Sequence, residues 1–492
     1  MKRILFASVS AVAIFSAASA TAQSNTSNVT QSGTSSTATV NQGGVNSLSN
    51  ITQAAATTNN KATVNQNGAK GGVRSDVTQN GSNNTADVTQ ADDGSGSARP
   101  IDVSTIVQGG AGNKATVTQN TGTLQTRSSS IITQNGDNNT ATLGQVDDGQ
   151  RSEITQLSNG NTANVTQGSA ALVAGDDSFG NVSFVTQQGG SANTANVAQN
   201  GYSGSSTITQ DGSSNNASLT QNGPAFTGDH NSIISQSGDA NIAAVTQSGD
   251  TNASTVTQSR GDNYASVNQN ATDSGSTVTQ ASRYNSAYVT QIGSSQSSTV
   301  SQSGDYYGVG YGFGYAQVSQ SGNNNQSGVT QTGAFNNAYV TQAASDNKST
   351  VSQSGLGTTA RVTQTGSSNT SAMTQSGYLN NYYSNSGVTQ SGDDNQSTVN
   401  QSGTFDFNNG YDLSRDNTVD VLQSGDGNIS TIDQGGTDNA VRLTQSGNSN
   451  TSGITQGGNL NSAFVTQSSD GNASTVTQGG SMNTATVTQG GM

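Results

Sequence analysis

Glutamine recurs along this chain on a fixed count. Between Gln31 and Gln489, 38 glutamines each close a triplet that opens with Val, Ile, Leu or Met, such as VTQ, ITQ or VNQ. Of the 37 intervals between them, 27 are 11 residues long. The residue four before the glutamine alternates. It is serine in every odd unit, from Ser27 to Ser474, and alanine in 16 of 19 even units, from Ala38 to Ala485. The exceptions are Ser386, Val419 and Val441. A fixed short period marks a stacked repeat, in which each unit buries its apolar face against its neighbours. The alternation makes the repeat 22 residues, two 11-residue strand–turn units. It predicts an all-β fold, a β-solenoid of about 19 two-strand coils.

The last unit shows why each half is a strand. Asn483, Ala485, Val487 and Gln489 share one parity, and Thr484, Thr486 and Thr488 the other. Strand side chains alternate between faces, so burying the valine buries Asn, Ala and Gln with it. The expected aliphatic core includes Val245, Val256, Val267, Val278, Val289 and Val487. The expected amide ladders run through Gln236, Gln247, Gln258, Gln269, Gln280, Gln291, Gln478 and Gln489, and through Asn241, Asn252 and Asn483. A buried amide without a partner costs about 1–3 kcal/mol, so stacked amides must bond from coil to coil. Stacking at strand spacing would give a rod of roughly 90 Å.

Turns follow each strand, as in QSGDAN (236–241) and QGGSMN (478–483). Gly, Asn, Asp and Ser accept positive φ or cap a turn locally. Longer intervals are read as insertions in turns, near 91–101, 120–128, 168–180, 222–230, 303–313, 376–383 and 402–416. Both prolines, Pro100 and Pro224, fall in them, where no central ladder needs their missing N–H. The insertions after Gln90, Gln119, Gln167 and Gln221 follow Ala-type units; those after Gln302, Gln375 and Gln401 follow Ser-type units. The two groups are expected on opposite edges of the coil. Tyr306, Tyr307, Tyr311, Phe313 and Tyr315 form a candidate contact loop within a Tyr/Gly-rich insertion.

Residues 1–22 read as a secretory signal peptide: Lys2 and Arg3, an apolar run from Ile4 to Phe15, then small residues. Residues 23–492 are then the repeat region. The apolar run is shorter than the roughly 20 residues a membrane helix needs, so no membrane insertion is expected. Only 9% of residues are charged and the formal net charge is −14. No basic stripe exists to neutralise phosphates, which argues against nucleic-acid binding. Cysteine is absent.

Catalytic chemistry has little to work with, and no enzyme activity, metal or cofactor is expected. His230 is the one histidine, and it reads as a solvated loop residue. Asp92–Asp93, Asp147–Asp148 and Asp393–Asp394 could bind calcium loosely, but such pairs are more often solvated turn residues. Arg260-Gly261-Asp262 spells an integrin-type tripeptide, which chance explains in so glycine-rich a chain. Outward Thr rows would suit a surface-binding solenoid, for instance an ice binder. Tyr288, Arg361, Asp420 and Arg442 in outward slots spoil such an array. A β-helical adhesin or secreted hydrolase would add an acid cluster or translocator barrel. No capping helix or charged blocking strand is read at either end, so an uncapped solenoid is expected to add end to end.

The repeat resembles the curlin repeat, the building block of curli, the amyloid fibres of bacterial biofilms. The pattern Q-x-G-x-x-N-x-A-x-x-x-Q is met by Gln236, Gly238, Asn241, Ala243 and Gln247. It is met again by Gln331, Gly333, Asn336, Ala338 and Gln342, and by Gln478, Gly480, Asn483, Ala485 and Gln489. The resemblance implies a secreted, cell-surface functional amyloid that polymerises with itself. It also implies export through an outer-membrane pore and assembly on a nucleator subunit.

Overall fold

The computed structural model describes residues 24–490 except 56, 69–71, 93–101, 122–127, 148, 169–179, 202, 224–228, 305–311, 377–386 and 404–416. The signal-peptide reading and the central parts of the long insertions lie outside the described residues, as do Tyr306, Tyr307 and Tyr311. The described chain is all strand and turn. Its 38 strands run from β1 (Thr26–Gln31) and β2 (Thr37–Gln42) to β37 (Ala473–Gln478) and β38 (Thr484–Gln489). Odd strands belong to one sheet and even strands to the other. The fold is a β-solenoid of 19 two-strand coils.

The chain divides into two compact units, Met1–Ile233 and Ile234–Met492; the strand β17 (Asn231–Ser237) holds the boundary. In the first unit β1 pairs in parallel with β3 (Leu48–Gln53), placing Ser27 opposite Ser49 and Gln31 opposite Gln53. In the second, β19 (Ala253–Gln258) pairs with β21 (Gly275–Gln280), again Ser on Ser and Gln on Gln. The even strands do the same with alanine: β18 (Ile242–Asp250) sets Ala243 opposite Ala265 on β20 (Tyr264–Thr272). A one-residue slip would turn the buried set outward, so the apolar pattern locks this register.

Alternating burial follows the period-two pattern. In β19, Ser254, Val256 and Gln258 are buried while Ala253 is exposed and the threonines lie between. Val245, Val256, Val267, Val278 and Val289 are buried; Val487, on β38, is only half-buried. Two of the exceptions to the alanine rule meet each other. Val419 stands opposite Val441, and both are buried, so two adjoining coils share the added volume.

Turn geometry repeats as strictly as strand geometry. The residue seven before the glutamine takes positive φ in most units, whatever its side chain: Thr251 (52°), Asp262 (59°), Tyr284 (61°), Leu460 (59°) and Met482 (62°) among others. A second turn position is restricted by neighbours. A Cβ on Gly392 would overlap the Gly425 carbonyl oxygen, and one on Gly425 that of Gly447. Here glycine is required for close stacking of turn on turn rather than for its φ.

Each long interval follows a strand of one sheet or the other. Those after Gln90, Gln119, Gln167 and Gln221 follow even strands: β6 (Thr85–Asp92), β8 (Lys114–Thr121), β12 (Thr162–Gln167) and β16 (Asn216–Asn222). Those after Gln302, Gln375 and Gln401 follow odd strands: β23 (Ser297–Gln302), β29 (Thr370–Gln375) and β31 (Gln396–Ser402).

Candidate functional site

The chemistry of this chain is concentrated where one coil meets the next. Each buried glutamine side chain faces three ways at once. Gln258 Nε2 donates to Gln280 Oε1 one coil on (2.8 Å) and to the Ile242 carbonyl of the opposite sheet (3.0 Å). Its own Oε1 accepts from Gln236 Nε2 (2.9 Å). The other sheet repeats the arrangement: Gln247 donates to Gln269 (2.9 Å), and Gln269 to Gln291 (2.8 Å). Gln280 bonds Gln302 (2.9 Å), and Gln291 bonds Gln320 (2.9 Å). Gln478 accepts from Gln456 (2.7 Å) and Gln489 from Gln467 (2.8 Å). In all these bonds the donor belongs to the earlier coil, so the ladder has a direction.

Asparagines use their amides differently. Asn241 Nδ2 donates to the Ser237 and Arg260 carbonyls (3.2 and 2.8 Å), while its Oδ1 accepts the backbone N–H of Asn263 (3.2 Å). Asn252 donates to the Ser248 and Ala271 carbonyls (2.9 and 2.6 Å) and accepts from Ser274 N (3.1 Å). Asn483, exposed on the last described coil, donates to Asn461 Oδ1 (2.9 Å). The shorter side chain stays within reach of turn backbone. It therefore seals the turn, while the longer glutamine spans coils and sheets. Buried serines form a third column. Ser430 Oγ donates to Ser397 Oγ (2.9 Å), whereas Ser254, Ser276 and Ser298 Oγ have no partner.

A family model for the curlin associated repeat matches the chain over residues 190–223, 228–259, 322–355, 415–442, 436–468 and 461–491. The chain carries curlin-associated repeats over these spans. Curlin repeats support a structural, repeat-built, extracellular protein. Among the described residues no group of three or more His, Cys, Asp or Glu could hold a metal ion. A comparison with curated proteins gives no match.

The curlin pattern is strictest where the turn asparagine is kept. From 417 to 483 every such slot is asparagine, including Asn428, Asn439 and Asn450. Outside the matched spans the odd slots vary, with Ser47, Val73, Asp102, Ser128 and Gln150. His230 sits in the same slot, six before Gln236. This corrects the reading of His230 as a solvated loop residue. It is buried, 1% exposed, and its carbonyl accepts from Ser205 N (2.7 Å). Counting back from Gln236 was the signal that could have placed it.

The acidic turn residues stitch curlin coils together. Asp393 Oδ1 accepts from Ser367 N (2.7 Å), and Asp393 N donates to Asp426 Oδ1 (2.9 Å). Asp92 and Asp147 fall among the described residues; Asp93 and Asp148 do not. Arg260 and Asp262 both take positive φ in one turn, where the Arg260 carbonyl serves Asn241. Outward slots hold Tyr288, Arg361, Asp420 and Arg442, all exposed. The last two form a loose ion pair (3.9 Å), of little energetic weight in water.

Tyr315 is not a loop residue: it opens the strand β24 (Tyr315–Asn323). Phe313 takes the left-handed turn position before it. Phe313 stacks between Tyr284 and Phe335, with centroids 5.0 and 4.9 Å apart and planes within 7°. A second aromatic column lies on the outward sheet face. Tyr264, Tyr288, Tyr315 and Tyr339 follow one another on four successive even strands, at 5.3, 5.5 and 5.5 Å. Arg361 caps the column over the Tyr339 ring (5.0 Å). The sequence signal for it is tyrosine alternating between five and three residues before the glutamine.

Proposed function

We propose that this chain is a self-templating structural subunit of an extracellular amyloid fibre, acting in adhesion and aggregation within a biofilm matrix. One observation supports the reading most directly: the interface between coils is homotypic. Ser meets Ser, Ala meets Ala and Gln bonds Gln in register from coil to coil. A coil of a second copy offers the same hydrogen-bonding face as the next coil of the same copy. The directed glutamine ladder favours one sense of addition, parallel and head to tail. Such a heterologous contact does not close on itself and builds filaments. An outer-membrane pore for export and a nucleator subunit are the partners expected by family analogy, with secretion directed by residues 1–22.

The test is assembly kinetics. The chain lacking residues 1–22 is diluted from denaturant and followed by thioflavin T fluorescence, with and without sonicated fibres as seeds. A lag that seeds abolish is the expected result. A soluble, β-rich, seed-insensitive monomer would overturn the reading and turn attention to a surface-binding solenoid.

A further inference from the structure

Among the described residues, aromatic side chains are not scattered. Nine lie among the described residues with resolved surroundings: Tyr264, Tyr284, Tyr288, Tyr315, Tyr339, Phe184, Phe313, Phe335 and Phe464. Seven of the nine fall in the two columns on neighbouring coils, and this decides against chance placement. The columns also divide by chemistry. The stacked turn column is two-thirds phenylalanine, whereas all four rings of the outward column are tyrosine. Packing alone needs no hydroxyl, since Phe and Tyr offer the same ring. The Tyr315 hydroxyl donates to Gln317 Oε1 (3.2 Å), a single bond that does not account for four phenols in one column.

We propose that Tyr264, Tyr288, Tyr315 and Tyr339 are a site of oxidative phenol coupling, which staples successive coils through dityrosine bonds. The geometry carries the argument. Successive rings alternate between two outward slots, so they approach at 5.3–5.5 Å with planes tilted 37–41°. At that spacing and tilt each ring is the next one's immediate neighbour, and the coupling carbons lie on the rim beside the hydroxyl. Tyr288 is 37% exposed and the other three are partly exposed, so a diffusible oxidant reaches them. Each bond would join strands that are neighbours in the sheet and more than twenty residues apart in sequence. Extracellular proteins commonly use disulfides for such staples, and this chain has no cysteine.

The step balances with a peroxide and a peroxidase as the one-electron oxidant. Each of two neighbouring phenols loses one electron and one proton and becomes a phenoxyl radical. The peroxide takes up both electrons and both protons and leaves as two waters. The radicals join through a carbon–carbon bond ortho to each oxygen. The two displaced ring hydrogens move as protons to the phenolic oxygens and restore both aromatic rings. The protein loses two hydrogen atoms per bond.

The experiment treats dilute full-length protein with hydrogen peroxide and a haem peroxidase, then maps cross-linked peptides by tandem mass spectrometry after broad-specificity digestion. Eight further tyrosines in the chain (Tyr202, Tyr306, Tyr307, Tyr311, Tyr378, Tyr382, Tyr383 and Tyr411) serve as internal competitors. Tyr264–Tyr288, Tyr288–Tyr315 and Tyr315–Tyr339 links are expected several-fold above any pair involving the competitors. The preference should vanish in denaturant. Tyr288→Phe with Tyr339→Phe keeps the rings and leaves no adjacent pair, so the ladder links should disappear. Ladder links no more frequent than other pairs, or the same product distribution in denaturant, would overturn the proposal. Should the double variant misfold, the native-against-denatured comparison on the unaltered chain decides alone.

Discussion

Gly425 lies so close to Gly447, one coil further on, that a Cβ on Gly425 would overlap the Gly447 carbonyl oxygen. The obstacle is backbone, which cannot swing aside as a side chain can. Gly425→Ala is therefore expected to destabilise the fold by about 1–3 kcal/mol, the usual range for forced overpacking. Denaturant unfolding followed by circular dichroism checks it. An unchanged midpoint would show that the turns separate at little cost.

Glutamine and serine columns should respond in opposite ways to truncation. Gln280→Ala strips the acceptor from Gln258 Nε2 and the donor from both Gln302 Oε1 and the Tyr264 carbonyl. With a cavity added, the expected cost is about 3–5 kcal/mol. Because each coil contacts only its neighbours, unfolding should split into two transitions around the lesion. Ser254→Ala removes a buried hydroxyl with no partner. It is expected to be neutral, or stabilising by up to about 1 kcal/mol. Parallel melts of the two variants make the comparison.

Leu460 occupies the left-handed turn position with φ +59° and is half exposed. A side chain there costs roughly 1–2 kcal/mol, partly offset in glycine by its freer unfolded chain. Leu460→Gly should thus stabilise by about 0.5–1 kcal/mol. Phe335→Gly at the equivalent position should not, because it also removes the stack on Phe313. A matched pair of chemical melts distinguishes relief of strain from loss of stacking.

Burial holds the Tyr315 phenol above its ordinary pKa, with smaller contributions from Tyr339 and then Tyr288. The neutral form also donates to Gln317 Oε1 (3.2 Å). The folded state therefore keeps a proton that the unfolded state releases sooner. Its contribution to stability is fully present below about pH 10, the free tyrosine value, and is lost as pH rises through the folded pKa. Alkaline titration of phenolate absorbance should show a late-titrating fraction that Tyr315→Phe removes. A Tyr315→Phe difference spectrum centred at the ordinary tyrosine value would contradict it.

Much of this architecture was legible before any coordinates. The 11-residue count, the Ser/Ala alternation and the invariant aliphatic slot determined two strands per coil, parallel in-register stacking and the buried parity. They did so because a solenoid repeats one local environment, so any slot with a fixed demand shows as a fixed letter. Val256 and Gln258 are placed by the same rule as Val487 and Gln489. Relations between coils at the turns and on the outward face were decided only by the tertiary structure. The sequence marks Gly425 as a turn residue, but only stacking reveals that its missing side chain makes room for Gly447. It marks Tyr288 as an outward residue and places Tyr315 in a candidate contact loop, with nothing to join them to Tyr264 and Tyr339. Parallel pairing brings them within ring contact, because insertions lengthen the chain between strands without shifting the register. His230 looked like part of an insertion for the same reason. Sequence distance is stretched at the turns, whereas the buried slot before each strand is fixed by the sheet.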